Sequence, residues 1–383
     1  MRRPRDPAIG RRRLALVAAA LAALALGAVV GARAGSVPER AQERSETAAP
    51  APAPAPAPRR ASPERQVGEL LILRFAGLRA PGYVTRALRE GRVAGVVLFA
   101  DNVEDPPQLR RLTAQLQRAA GGDALVCTDQ EGGVVRNVPW VGPASPQPAQ
   151  STSALAAEAA GEAARGLRGA GVNVNLAPVA DVPSGAAPVI GGRAFAGGPA
   201  RVGALVRAAI GGYRAGRVAA TVKHFPGLGA AGANTDDAPV TITTSAGELE
   251  RRDLAPFRAA AAARAPLVMA SHALYPALDR DRIASQSAPV LTRLLRGRIG
   301  FDGVVMTDSL EAAAVTARSS VEIAAARSVQ AGADLLLMTG QGSYTRVHRH
   351  LARRAKRSAA FRGQVEQAGA RVARLKRGLG PPS

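Results

Sequence analysis

Gly303-Val-Val-Met-Thr-Asp-Ser-Leu310 opens with a strand of five mostly apolar residues, 303–307, that delivers one carboxylate, Asp308. A strand apolar on both faces belongs to a parallel sheet covered by helices, not to a sheet with one wet face. Seven other runs share its character: 70–75, 95–99, 124–128, 172–176, 219–223, 267–271 and 334–338. Stretches rich in Ala, Arg and Leu, of helical composition, separate them. Eight such units in roughly 300 residues predict an α/β fold of the (β/α)8 TIM type. No glycine-rich dinucleotide fingerprint follows the first run, which argues against an open nucleotide-binding sheet. Barrel enzymes carry their chemistry at the C-terminal strand ends. Six runs end in polar groups: Asp101-Asn102, Asp129-Gln130-Glu131, Asn175 with Asp181, Lys223-His224, Ser271-His272 and Asp308-Ser309.

A carboxylate fixed at a strand end is what a retaining glycosidase needs to attack an anomeric carbon. The plainer reading of Asp308 is a helix N-cap. Lys223-His224 lead into Phe-Pro-Gly-Leu-Gly, a cation pair over a Gly/Pro loop. Lysine is informative there, because only three of the 51 cationic residues are lysines. His224 alone could equally be a satisfied polar residue in the barrel wall. Asp129-Gln-Glu-Gly-Gly133 offers two carboxylates suited to sugar hydroxyls. A metal site is the rival there, but no His or Cys stands at ligand spacing.

Together Asp129-Gln-Glu-Gly-Gly133, Ala177-Pro-Val-Ala-Asp181, Ile190-Gly-Gly-Arg-Ala-Phe195, Lys223-His-Phe-Pro-Gly227, Met269-Ala-Ser-His272 and Val305-Met-Thr-Asp-Ser-Leu310 resemble glycoside hydrolase family 3. Within it the chain is similar to the single-domain β-N-acetylhexosaminidases of bacterial cell-wall recycling. The resemblance spans roughly residues 65–380 and implies a retaining mechanism with no metal and no organic cofactor. It gives Asp308 the role of nucleophile. It gives Asp129, Arg193, Lys223, His224 and His272 to substrate binding. The family also has an arginine eight positions after the Asp129 equivalent; here that position is Asn137, and its neighbour Arg136 is the candidate.

The acid/base departs from the family. Family hexosaminidases continue Lys-His-Phe-Pro-Gly-His-Gly into a mobile loop that ends Asp-Ser-His, where the His is the acid/base. This chain has Leu228 and then Asn234-Thr-Asp236, and no histidine lies between His224 and His272. Asp236 could donate the proton instead, on a loop whose small residues would let it swing. The acid could come from another loop, or the barrel could bind sugar without turning it over. The leading expectation is release of terminal β-linked N-acetylglucosamine from peptidoglycan fragments. The alternatives are a β-glucosidase or β-xylosidase of the same family, or a weakened wall-glycan binding protein.

Arg11-Arg12-Arg13 precede an apolar stretch, 14–31, and Ala32-Arg33-Ala34 offers a cleavage site. Residues 1–35 therefore read as a signal peptide or retained anchor, 36–62 as an Ala/Pro linker, and 63–383 as the catalytic barrel. Export is expected, with membrane contact only through an uncleaved N-terminal segment. The net charge of +22 raises nucleic acid as a partner. However, residues 1–67 hold +7 and 341–383 hold +10, which leaves the middle at +5. No RNA- or DNA-binding motif accompanies the charge, so no nucleic acid is expected. The basic segment 346–377 reads as a solvated helix face. The one cysteine, Cys127, lies inside an apolar run, as a buried thiol. A monomer acting on carbohydrate is expected.

Overall fold

The structure, a computed structural model, describes residues 61–184 and 189–380. The expected leader and all but the end of the linker lie outside them. The described chain forms a closed barrel of eight parallel strands: β1 (Leu71–Arg74), β2 (Gly95–Leu98), β3 (Leu125–Thr128), β4 (Val174–Asn175), β5 (Ala219–Phe225), β6 (Leu267–Ala270), β7 (Val304–Ser309) and β8 (Leu335–Met338). Each strand pairs with its sequence neighbours, and β1 closes on β8 through Leu71↔Leu336 and Leu73↔Met338. All eight expected runs are strands. The fourth is shorter than expected, because the chain after Leu176 turns through Pro178, which has no N–H for a ladder. The fifth is longer and carries His224 within the strand.

Alternation accounts for runs that are apolar throughout. Ile72, Val97, Cys127, Val174, Leu267, Met306 and Leu335 fill the barrel interior. Leu71, Leu73, Val96, Val126, Val268, Val305 and Leu336 face the surrounding helices. Cys127 is fully buried, and burial raises its thiol far above the ordinary range, so it is inert packing. Side-chain caps start several helices: Asp105 Oδ1 accepts from Gln108 N–H at 2.6 Å and Thr152 Oγ1 from Leu155 N–H at 3.2 Å.

The basic C-terminal segment is two helices, Ser343–Arg357 and Ala359–Leu379. Each buries one face: Val347, Leu351 and Ala355 in the first, Phe361, Val365 and Val372 in the second. The last helix also closes the floor of the barrel, since Val372 and Leu379 join the interior cluster. Lys376 fixes it by reaching Glu69 (2.7 Å) and Asp123 (3.1 Å), which precede β1 and β3. Among the described residues no helix is long and apolar enough to cross a membrane.

Candidate active site

The C-terminal strand ends surround an open cavity of about 630 Å³. Behind one wall stands Glu131, just past β3 and almost wholly buried. Arg193 grips it through Nε (2.9 Å) and Nη2 (2.6 Å), the bidentate fit that a guanidinium makes with a carboxylate. Lys223 Nζ lies 2.6 Å from both Glu131 Oε1 and Asp129 Oδ1. Burial would raise the Glu131 carboxyl, but Lys223 and Arg193 outweigh it and hold it at about 2. Burial likewise works against the Lys223 charge, and Asp129 with Glu131 overcomes it, so the ammonium is held charged. This pre-paired cluster presents Asp129, Lys223 and Arg193 to the cavity with little freedom to rearrange.

Asp181 is fully buried and accepts three hydrogen bonds. His224 Nδ1 and N–H donate at 2.7 and 3.1 Å, and Leu228 N–H donates at 2.6 Å. With Nδ1–H committed, Nε2 is the His224 nitrogen left for a ligand. The Lys223–His224 peptide bond is cis. His272 is fully buried, with Nε2 2.8 Å from the Ser309 carbonyl and Nδ1 2.7 Å from Ser285 Oγ. A carbonyl only accepts, so Nε2 carries the proton and Nδ1 takes the hydroxyl's. Burial lowers the His272 pKa, against the pull of the nearby Asp308, and favours this neutral form.

Asp308 sits at the end of β7, half-buried, with Oδ1 accepting from Ser309 N–H at 2.8 Å. Burial alone would raise its carboxyl. His224, the Ser309 N–H and Lys223 overcome that and hold it below the usual carboxylate range. Asp236 shares the cavity and is pushed the opposite way, first by desolvation and then by the charge of Asp308, although it keeps a solvent-facing side. Asn234 is its local partner: Asn234 Oδ1 accepts from Asp236 N–H at 3.2 Å. The loop that carries Asp236 is docked. Its Asp236 and Thr235 carbonyls accept from Ala313 and Ala314 N–H at 3.0 and 3.1 Å, just beyond Asp308. Leu228, Ala231 and Thr235 are buried. At Gly229 smallness serves packing: a Cβ there would lie 1.9 Å from the Val182 carbonyl oxygen, whereas Gly232 faces open space.

Asp308, Asp236, Asp129, Arg193, Lys223 and His224 thus meet at one cavity. Two other expected residues stand elsewhere. Arg136 is not among the lining residues; it ends a short hairpin (Gln130–Gly132 with Val135–Arg136), and strand alternation gives the cavity Val135 and Asn137 instead. His272 lies behind the wall, where it touches Ser309 rather than the cavity. Sequence reasoning gave no individual role to Glu131 or Asp181, which anchor Lys223, Arg193 and His224. It also missed Arg74, which lines the cavity and pairs with Asp101 at 2.9 Å, and Glu311, held by Thr339 N–H at 2.8 Å. Arg74 and Asp101 flank two strand ends and could have been found from that placement. Among the described residues no group of three or more His, Cys, Asp or Glu side chains is arranged to hold a metal ion.

Residues 64–375 match the Glycosyl hydrolase family 3 N terminal domain. A secreted glycosyl hydrolase of Arthroderma benhamiae is 36% identical over 294 residues, which cover 73% of this chain and 82% of its own length. A β-hexosaminidase of Pseudomonas aeruginosa is 35% identical over 279 residues, 70% of this chain and 81% of its own. Among solved structures, a glycoside hydrolase family 3 β-N-acetylglucosaminidase from a Paenibacillus species superposes with a TM-score of 0.79 at 34% identity. The match covers 82% of this chain and 62% of that protein, so this chain spans about three-fifths of its length.

Proposed function

This chain belongs to glycosyl hydrolase family 3, and from that premise we propose that it is a retaining exo-glycosidase releasing terminal β-linked N-acetylglucosamine. One observation carries the reading. Two carboxyl groups share the cavity, and their surroundings push them apart, Asp308 towards the anion and Asp236 towards the acid. That division of labour is what the retaining mechanism requires.

In the first step Asp308 attacks the anomeric carbon while the bond to the leaving oxygen breaks. Asp236 gives its proton to that oxygen. Water then attacks the same carbon, Asp236 takes the water's proton, and Asp308 is released as a carboxylate. Asp129, Lys223, Arg193 and His224 hold the sugar hydroxyls. The docked loop keeps Asp236 beside Asp308 without help from a histidine. Barrel 63–383 is the catalytic unit, and its expected natural substrates are cell-wall fragments met after export, in keeping with the secreted relative.

The test is a panel of nitrophenyl β-N-acetylglucosaminide, β-glucoside and β-xyloside, with a fluoro-sugar to trap the covalent intermediate. Turnover is expected on the first, and the adduct on Asp308. Asp308→Asn should lose at least about a thousandfold in kcat with an unchanged melting temperature. An adduct on another residue, or near-normal activity of Asp308→Asn, ends the assignment. A wild type silent on all three substrates would favour a glycan-binding role, to which the replaced Asp–His dyad also points.

A further inference from the structure

At the opposite end of the barrel lies a second cavity of about 420 Å³, unconnected with the chemistry above. It is lined by five arginines, Arg214, Arg217, Arg264, Arg371 and Arg374, against one acid, Asp302. Its floor is apolar, built from Val218, Val304, Leu375 and Leu379. Two of the arginines are accounted for by the protein itself. Arg214 donates to the Ala263 carbonyl at 2.5 Å, and Arg371 pairs with Asp334 at 3.1 Å. The side chains of Arg217, Arg264 and Arg374 have no hydrogen bond or ion pair among the described residues.

The abundance of arginine in this chain does not account for the placement. Arg217 and Arg264 are the non-glycine residues at which the described backbone turns to positive φ, at 59° and 54°. Each follows the C-cap of a helix, Pro199–Ala215 and Leu254–Ala262, the position where glycine is the default because a Cβ is strained there. At thirteen other positive-φ positions the chain uses glycine. At these two it accepts strain and places an exposed arginine on the wall of the same cavity. Neither side chain returns to cap the helix carbonyls, as Arg214 does.

We propose that this cavity binds a phosphate-bearing ligand. Guanidinium forks match the non-bridging oxygens of a phosphate, and three exposed, unpaired arginines around one cavity with an apolar floor suit a phosphate with an apolar remainder. The chemistry is shared by a phospholipid headgroup and by a soluble phosphate ester or pyrophosphate.

The full chain is melted with and without sodium pyrophosphate, against sodium chloride of equal ionic strength. Three proteins are compared: wild type, Arg217→Gly with Arg264→Gly, and a control with Arg86→Gln, Arg89→Gln and Arg111→Gln. Glycine at positive φ relieves strain, so the double variant should keep at least the wild-type melting temperature without ligand. Pyrophosphate should raise the wild type and the control by several degrees and leave the double variant unmoved. A second arm sediments the proteins with phosphatidylglycerol or phosphatidylcholine vesicles. Loss of phosphatidylglycerol capture in the double variant alone identifies the headgroup as the source, and a response to pyrophosphate alone identifies a soluble ester. Any capture by the N-terminal segment is common to all three proteins. Equal responses from the double variant and the control in both arms overturn the proposal.

Discussion

Asp181 holds His224 by both of its oxygens, Oδ2 at 2.7 Å from the ring Nδ1 and Oδ1 at 3.1 Å from the backbone N–H. The same Oδ1 also takes the Leu228 N–H, so one buried carboxylate sets the ring and starts the loop that carries Asp236. Asp181→Asn should therefore cost activity in two ways. An amide can accept on one atom only, which leaves a donor facing a donor. We expect kcat/KM to fall about ten- to a hundredfold and stability by roughly 1–3 kcal/mol, read from steady-state kinetics and urea melts. A variant with wild-type kinetics would mean that His224 needs no such partner.

Arg193→Ala and Lys223→Ala should each raise KM by about ten- to a hundredfold, because each loses charge-assisted contacts worth roughly 1.5–3 kcal/mol. Glu131→Gln should behave differently. It touches no sugar in this reading, yet it leaves Lys223 and Arg193 short of a buried countercharge, so its first signature is a lower melting temperature. If Glu131→Gln melts with the wild type, the cluster is not held together as the geometry indicates.

As the proposed proton donor, Asp236 should set the alkaline side of the pH profile. As an acid it must begin protonated, so activity should fall as pH rises through its raised pKa. Asp308 must begin ionised, so activity should fall on the acid side as pH drops through its lowered pKa. Asp236→Ala should remove the alkaline limb and slow poor leaving groups far more than nitrophenols, and azide should partly restore deglycosylation. Equal losses for both leaving groups, with no azide effect, would exclude Asp236 as the proton donor.

Asp253 lies beneath the Lys-His-Phe-Pro-Gly loop, where a Cβ on Gly227 would strike its side chain at 2.6 Å. Burial, with Asp181 and Glu248 adding to it, pushes its carboxyl up to about 6 despite Arg252 at 2.9 Å. The folded state therefore binds this proton more tightly than the unfolded chain does. The contribution is complete below the unfolded value of about 4 and is lost as pH rises to about 6, on the order of 1–3 kcal/mol. Urea melts at pH 4, 5 and 7.5 should show the wild type losing stability relative to Asp253→Asn as pH rises; parallel curves would contradict this.

The barrel is legible in the sequence because its strands are buried on both faces, and a run such as Leu335–Met338 is too apolar to lie in a sheet with one wet face. The placement of Asp308 is legible for the same reason: a lone carboxylate at the end of such a run marks the barrel mouth. Residues reached through long-range contacts are not. Asp181 and His224 are 43 positions apart, and Glu131 and Arg193 are 62 apart. Nothing local announces either pairing. Arg136 stands off the cavity wall for a different reason. Its hairpin is too short to fix the phase of alternation from sequence, and a shift of one residue exchanges the cavity face for the outer one. His272 sits at a strand end like its neighbours, but the carbonyl of Ser309, invisible in a string of letters, draws it behind the wall.

The helix Ala359–Leu379, whose Val372 and Leu379 seal the floor of the barrel, also fixes when the protein can finish folding. The first strand can meet the eighth only after residue 338 has been synthesised, and the interior stays open below until Leu379 follows. A growing chain on the ribosome therefore cannot hold the sealed barrel before Leu379 has emerged. For a polypeptide exported as proposed above, late closure is an advantage: it keeps the chain loose through the period in which premature compaction would block its passage across a membrane.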